Sequence, residues 1–268
     1  MNKLMIALLS VYALSACQTS PLDSRGIDEK AGLSTQYSDG ATSQKTAADI
    51  NTELGAGYIG NGRYDRALIK LNRALSQDPD HALAHNYLGV LYGRLERPEQ
   101  AYQEFNKSIK LSPNDTTIQN NYAIFLCEQK KYTEAQAMFR KVINNPLYIN
   151  RSGAYQSAAW CASENNDYEL SEQLYRKALE MNPTLPRSQL GMARIYYKKK
   201  DYDLAWSYFE RFDEGTIQDA DSLWLGINIL SKMLKPNNNR LSSYKLLLKS
   251  KFPDSDEARW LYQGKQDY

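Results

Sequence analysis

The two histidines, His81 and His85, are the first residues whose type and spacing could support chemistry, because they stand four residues apart. On a helix this spacing places two imidazole rings on one face, where both could bind one metal ion. No carboxylate or cysteine at metal-ligand spacing completes such a site, so neither a metal nor another cofactor is predicted. The sequence also lacks a glycine-rich phosphate loop, a nucleophile elbow and an HExxH motif. We therefore expect neither an enzyme nor a small-molecule substrate.

A cysteine near the N-terminus suggests a different kind of chemistry. Residues 4–14 are almost wholly apolar, a length typical of a signal-peptide core and too short to cross a bilayer. They lead into Leu14-Ser15-Ala16-Cys17, which resembles the lipobox of bacterial lipoproteins. The resemblance implies removal of residues 1–16 and covalent lipid, with acyl chains such as palmitate, on Cys17. Gln18, where Asp would favour the inner membrane, points to the periplasmic face of the outer membrane. The alternative is an ordinary secretory signal followed by an unrelated cysteine.

The segment after the lipobox has the composition of a flexible connection. Residues 17–47 are rich in Ser, Thr, Gly and Asp and show no apolar period, which indicates a lipidated N-terminus and a disordered tether. A flexible chain of about 28 residues has a root-mean-square reach of roughly 30 Å. The formal net charge of the whole chain is only +2, so no attraction to nucleic acid is predicted.

From residue 48 onward the chain repeats itself with a period of 34 residues. The characteristic residues of the first two repeats stand at identical spacing. They are Leu54-Gly55, Tyr58, Ala67, Leu71, Ala74 and Pro79 in the first repeat, and Leu88-Gly89, Tyr92, Ala101, Phe105, Ser108 and Pro113 in the second. Two additional residues interrupt the period before the fourth repeat. The predicted units are 48–81, 82–115, 116–149, 152–185, 186–218 and a degenerate sixth unit with a C-terminal cap over 219–262. The sixth carries an insertion at Lys235–Arg240 before its second helix.

These repeats resemble the tetratricopeptide (TPR) family, which implies an all-α superhelical solenoid of about six helical hairpins. The physical chemistry agrees with that resemblance. A small residue such as Gly89 allows two helices to approach closely, an aromatic such as Phe105 fills the space between hairpins, and Pro113 ends a second helix. A single hairpin cannot bury its apolar face, so stacking supplies the core. A non-repetitive helical bundle is the alternative.

The two remaining cysteines, Cys127 and Cys161, fall late in the first helices of the third and fourth repeats. First helices of adjacent TPRs pack side by side, so the two Cα atoms could lie within the distance of about 7 Å that a disulfide needs. An exported chain occupies an oxidising compartment, where such a bridge is stable. We therefore predict a possible Cys127–Cys161 disulfide that locks the two repeats together. Two buried free thiols remain the alternative.

First helices of TPR arrays also line a concave groove, which is the candidate site for binding other proteins. The groove-facing candidates by repeat alignment are Asn86, Val90, Asn120, Ile124, Gln156, Trp160, Arg194 and Tyr197. This mixture of polar and aromatic side chains suits peptide recognition. Val90 and Ile124 stand where a carboxylate-clamp TPR needs Asn, which favours apolar recognition of a helix or an extended peptide.

Several segments beyond the repeats resemble one family in particular. They are Asn120–Cys127, Asn145–Tyr148, Ser222–Ile227 and Lys251–Ala258. Together with the lipobox, they resemble the PilF/PilW family of type IV pilus biogenesis lipoproteins. The resemblance implies a pilotin that helps a PilQ-like secretin reach the outer membrane and form multimers, in support of pilus assembly and twitching motility. The alternative is another periplasmic TPR lipoprotein, an adaptor for peptidoglycan hydrolases or outer-membrane assembly factors.

Overall fold

The computed structural model describes residues 45–214 and 218–265. This part of the chain forms thirteen α-helices and contains no β-strand, and none of its helices is both long and apolar enough to cross a bilayer. Cys17, the predicted leader and most of the predicted tether lie outside the described residues. The helices are α1 (Ala47–Gly60), α2 (Tyr64–Gln77), α3 (Ala82–Arg94), α4 (Pro98–Leu111), α5 (Thr116–Glu128), α6 (Tyr132–Asn144), α7 (Arg151–Glu164), α8 (Tyr168–Met181), α9 (Pro186–Lys198), α10 (Tyr202–Asp213), α11 (Ala220–Lys232), α12 (Asn238–Lys251) and α13 (Asp256–Tyr262).

The helices pair in chain order, so that α1 packs on α2 and each later pair up to α11 and α12 packs in the same way. Each pair forms one helical hairpin, and α13 follows the sixth hairpin. Each of the first five predicted repeats holds one hairpin. The prediction of an all-α TPR solenoid is therefore confirmed.

The turn inside each of the first five hairpins is built in the same way. One residue per turn has a left-handed backbone, with φ between 56° and 66°, and these residues are Gly62, Glu96, Lys130, Asn166 and Lys200. The next N–H donates to a carbonyl near the end of the first helix, as from Lys131 to Leu126 at 2.8 Å. This bond satisfies a carbonyl that would otherwise lack a partner at the helix end. The shared turn gives every hairpin the same connection between its helices.

First and second helices bury different amounts of surface. In α4 only Ala101, Phe105 and Ser108 are buried, whereas α3 buries seven residues. A second helix therefore has one buried stripe, while a first helix packs against its own partner and against neighbouring hairpins. A hairpin in isolation would expose much of this surface, so stacking is needed for stability.

The C-terminal end is closed by a short helix. Residues 222–230 of α11 are all buried, and α13 packs against this helix, with the rings of Trp224 and Trp260 centred 6.0 Å apart. The predicted insertion at Lys235–Arg240 was placed wrongly, because α12 begins within it at Asn238. Asn237 sets this start, since its side chain accepts a hydrogen bond from the Arg240 N–H at 3.1 Å.

Candidate protein-binding groove

The pattern of helix contacts shows which face of the array is concave. Successive first helices touch one another, as α3 touches α5 and α5 touches α7, within the described ranges. Successive second helices, such as α4 and α6, do not touch one another within the same described ranges. Elements that touch lie on the inside of a bend, so the first helices line the concave face.

The eight predicted groove residues lie on four of these first helices, two on each of α3, α5, α7 and α9. Within α3, α5 and α7 the two candidates stand four residues apart, so they lie on one face of the helix. Six of the eight side chains are partly exposed: Val90, Ile124, Gln156, Trp160, Arg194 and Tyr197. These six form the accessible surface of the groove.

Asn86 and Asn120 lie beneath that surface, which differs from the expectation that they face a partner. Asn86 is fully buried and neither atom of its side-chain amide has a hydrogen-bond partner, and the side-chain oxygen of Asn120 is also buried without one. The cause is the contact between successive first helices, which covers this position. Repeat alignment finds residues on the inner side of a helix but does not show which of them the next helix covers.

A narrow slot lies between α3 and α5. Val90 and Ile124 line it together with the rings of Phe105 and Phe125, and Gly93 leaves one wall without a side chain. The slot is therefore apolar and suits a small apolar side chain of a bound protein.

Polar groups border the same slot. Arg94 donates a hydrogen bond to Glu128 at 3.1 Å, and burial raises the pKa of the Glu128 carboxyl although Arg94 opposes the shift. The side-chain nitrogen of Asn121 is buried in the slot lining without an acceptor. Sequence reasoning missed these residues, although opposite charges 34 residues apart are a sign of pairing between neighbouring repeats.

The groove becomes more polar and aromatic toward its C-terminal half. Ser188 donates to the side-chain oxygen of Gln156 at 3.1 Å, so the two first helices α7 and α9 are linked across the groove floor. Arg194 forms an ion pair with Asp221 of α11. Trp160 packs against the apolar clusters on both sides of it. This half presents a large aromatic ring and fixed polar groups.

The structure joins Cys127 of α5 and Cys161 of α7 by a disulfide, with Cα atoms 5.7 Å apart. Both residues are buried among the side chains between the third and fourth hairpins. The bond fixes the spacing between two adjacent helices that line the groove.

The two histidines serve as links between helices. His81 lies 2.8 Å from a carboxylate oxygen of Asp49 on α1, and His85 contacts Glu104 on α4 and the Pro79 carbonyl oxygen. Burial alone would raise the pKa of Asp49, but hydrogen bonds from His81 and Thr46 hold it below its ordinary value. No group of three metal-binding side chains occurs among the residues that the structure describes.

Comparison with known proteins agrees with this architecture. Three tetratricopeptide repeat models match the chain, over residues 52–116, 104–137 and 152–185. The chain is 32% identical to the type IV pilus assembly protein PilF of Pseudomonas aeruginosa over 211 residues, which cover 79% of this chain and 83% of PilF.

Two solved structures extend the likeness to three dimensions. A structure of Pseudomonas aeruginosa PilF matches 82% of this chain and 98% of its own, at 30% identity and a TM-score of 0.70. A crystal structure of PilW, a widely conserved type IV pilus biogenesis factor, matches 81% of this chain and 99% of its own, at 25% identity and a TM-score of 0.71. The chain therefore belongs to the PilF/PilW family of tetratricopeptide-repeat proteins of type IV pilus biogenesis.

Proposed function

We propose that this chain is a pilotin, an outer-membrane lipoprotein that helps the type IV pilus secretin reach the outer membrane and form multimers. The observation that carries the proposal is the match to PilF, which spans 83% of that protein and most of the repeat array. Its role is to hold proteins together, since the features described above are those of a binding scaffold.

In this proposal the groove holds the secretin. The slot between α3 and α5 takes an apolar side chain of the secretin. Trp160 offers an aromatic contact farther along the groove. The disulfide keeps the first helices at a fixed spacing, which limits the ordering that binding would otherwise require.

The N-terminus supplies the membrane attachment in the same proposal. Lipid on Cys17 anchors the chain, Gln18 directs it to the outer membrane, and the tether lets the array stand away from the bilayer. More than one acyl chain gives stable anchoring where a single chain would not.

The test is deletion of the gene followed by analysis of secretin multimers in outer-membrane fractions on unheated gels. We expect multimers to be lost from the outer membrane and restored by the wild-type gene. An Ile124→Ser variant, changed in the slot, should restore them poorly. An Ile69→Ser variant, changed at an exposed position of α2, is the matched control and should restore them fully.

Normal secretin multimers in the outer membrane of the deletion strain would overturn the proposal. Recovery of peptidoglycan amidases or peptidases with the tagged chain, without secretin, would favour the adaptor alternative instead.

A further inference from the structure

The connection between the third and fourth hairpins exposes two large apolar side chains. Leu147 is 85% exposed and Ile149 is 75% exposed, whereas Tyr148 between them is 2% exposed. This connection, residues 145–150, is called the junction loop below. The two-residue interruption of the 34-residue period, at 150–151, overlaps its C-terminal end. Large apolar side chains exposed as a pair are a recognised feature of interaction sites.

The junction loop is held in place from within. The side-chain oxygen of Asn145 accepts a hydrogen bond from the Leu147 N–H at 2.9 Å, and the Asn145 carbonyl accepts one from the Tyr148 N–H at 3.2 Å. Tyr148 is part of the buried cluster between the hairpins, and Asn150 caps α7. The backbone of the loop is therefore held in place by the buried ring of Tyr148, with Leu147 and Ile149 exposed on either side of it.

Neighbouring repeats extend the apolar surface. Second helices run in the same direction through the array, so their C-terminal ends lie along one edge. Leu111 at the end of α4 and Met181 near the end of α8 occupy this edge in the hairpins before and after the junction loop, and both side chains are exposed. The edge thus carries apolar side chains from three consecutive hairpins.

The charge around the junction loop has one sign. No Asp or Glu occurs between Glu134 and Glu164, while Arg140, Lys141 and Arg151 flank the loop. Arg140 and Lys141 are exposed and form no ion pair within the part of the chain that the structure describes. This local excess of positive charge contrasts with the nearly neutral chain as a whole.

Acidic side chains of the adjacent repeats are already engaged along the same edge. Asp115 accepts hydrogen bonds from the Thr117 and Ile118 N–H groups, and Glu180 is paired with Lys177 at 2.8 Å. Neither acidic side chain pairs with Arg140 or Lys141.

We propose that the junction loop is a membrane-contact site, which inserts Leu147 and Ile149 into an anionic phospholipid surface while Arg140 and Lys141 contact the headgroups. Protruding apolar side chains with flanking cations are the chemistry of interfacial membrane binding. Leu147 and Ile149 are both largely exposed next to unpaired cations, and this combination favours an anionic lipid surface over a protein segment. The proposal goes beyond pilotin function and does not depend on secretin binding.

The test is sedimentation of the purified chain from residue 17 onward, with Cys17→Ser so that it carries no lipid, with two kinds of vesicle. Vesicles of phosphatidylethanolamine and phosphatidylglycerol should bind the chain, and vesicles of phosphatidylcholine alone should bind it weakly. The double variant Leu147→Ser/Ile149→Ser should lower the apparent affinity for the anionic vesicles by about tenfold or more, because two apolar side chains lose their insertion. Arg140→Gln/Lys141→Gln should also lower it, and its remaining binding should depend less on salt.

The control variant is Ile69→Ser, which removes an apolar side chain that is 65% exposed on α2. It should bind anionic vesicles like the parent chain, and unchanged thermal unfolding of all variants shows that they are folded. The proposal is overturned if the parent chain does not sediment with anionic vesicles, or if the Leu147/Ile149 variant sediments equally well. It is also overturned if this variant loses secretin in co-purification while its vesicle binding is unchanged, since the loop is then a protein contact.

Discussion

Cys127 and Cys161 tie the first helices of the third and fourth hairpins together by a covalent bond across 34 positions of sequence. We predict that the Cys127→Ala/Cys161→Ala variant lowers the free energy of unfolding by about 3–4 kcal/mol, because opening this loop restores entropy to the unfolded chain. Urea denaturation of the oxidised protein measures the change. Reductant should reproduce most of it in the wild type and have no effect on the variant. Equal midpoints with and without reductant in the wild type would show that the bond adds no stability.

Gly89 and Phe105 illustrate why a small residue stands at the first-helix contact. A Cβ atom on Gly89 would lie 2.8 Å from a ring carbon of Phe105. We predict that Gly89→Ala destabilises the protein by about 1–3 kcal/mol, because a packed aromatic cluster must shift.

The matched control is Gly57→Ala in α1, where an added Cβ would meet no atom within 4 Å. This change should leave stability equal or raise it by up to about 1 kcal/mol through helix propensity. Thermal unfolding of both variants decides the matter. If Gly89→Ala were as stable as Gly57→Ala, the second hairpin would be able to adjust its packing, as the repeats that carry Ala at this position do.

Glu172 of α8 holds a polar network that reaches the fifth hairpin. Its carboxylate accepts hydrogen bonds from Arg176, from Tyr196 at 2.7 Å and from Lys199. Burial alone would raise the pKa of Glu172, but the bonds from Lys199 and Tyr196 and the charges of Lys199 and Arg176 lower it below its ordinary value.

A lowered folded-state pKa means that this carboxylate stabilises the protein above its unfolded pKa and stops doing so as the pH falls through the folded pKa. We predict that Glu172→Gln costs about 1 kcal/mol at pH 7 and that the difference from wild type shrinks in acid, below about pH 4. Glu180→Gln, at an exposed pair with Lys177, is the control and should change little at any pH. Chemical denaturation across a range of pH measures the free energy of unfolding of both variants. If the difference between Glu172→Gln and wild type stayed constant down to pH 2, the stabilising role of the Glu172 carboxylate would be contradicted.

Asn86 and Asn228 are both buried asparagines, but only the second has a partner. Asn228 donates to the Trp224 carbonyl at 2.8 Å, whereas the Asn86 amide has none. We predict that Asn228→Ala destabilises the protein by about 1 kcal/mol, while Asn86→Ala is neutral or stabilising, because it removes an unsatisfied polar group. Urea denaturation of both variants measures the two changes in the free energy of unfolding. A loss at Asn86 equal to that at Asn228 would indicate a bound water at the first site.

The fold followed from the sequence because hairpin stacking repeats the same contacts, and equal contacts select equal residue types at equal spacing. The positions of Gly89, Phe105 and Pro113 are examples. The Cys127–Cys161 pairing was also within reach, since neighbouring first helices bring corresponding positions together.

The details of the groove were not accessible in the same way. Asn86 and Asn120 were expected to face a partner, but their burial depends on how tightly successive first helices pack. An apolar residue type more often indicates a core position, so the sequence did not predict that Leu147 is exposed. The network around Glu172 joins side chains from two hairpins, and its geometry appears only when both are placed.

The disulfide also has a mechanical consequence. Within residues 45–214 and 218–265 each hairpin touches only its neighbours, so a pull on one end is transmitted through each joint in turn. Most of these joints are held by packing and hydrogen bonds, which yield gradually under tension. The joint between the third and fourth hairpins, where the repeat period is interrupted, can separate at Cys127 and Cys161 only if a covalent bond breaks. Under a pull along its length, the array would thus give way at its ends before its middle.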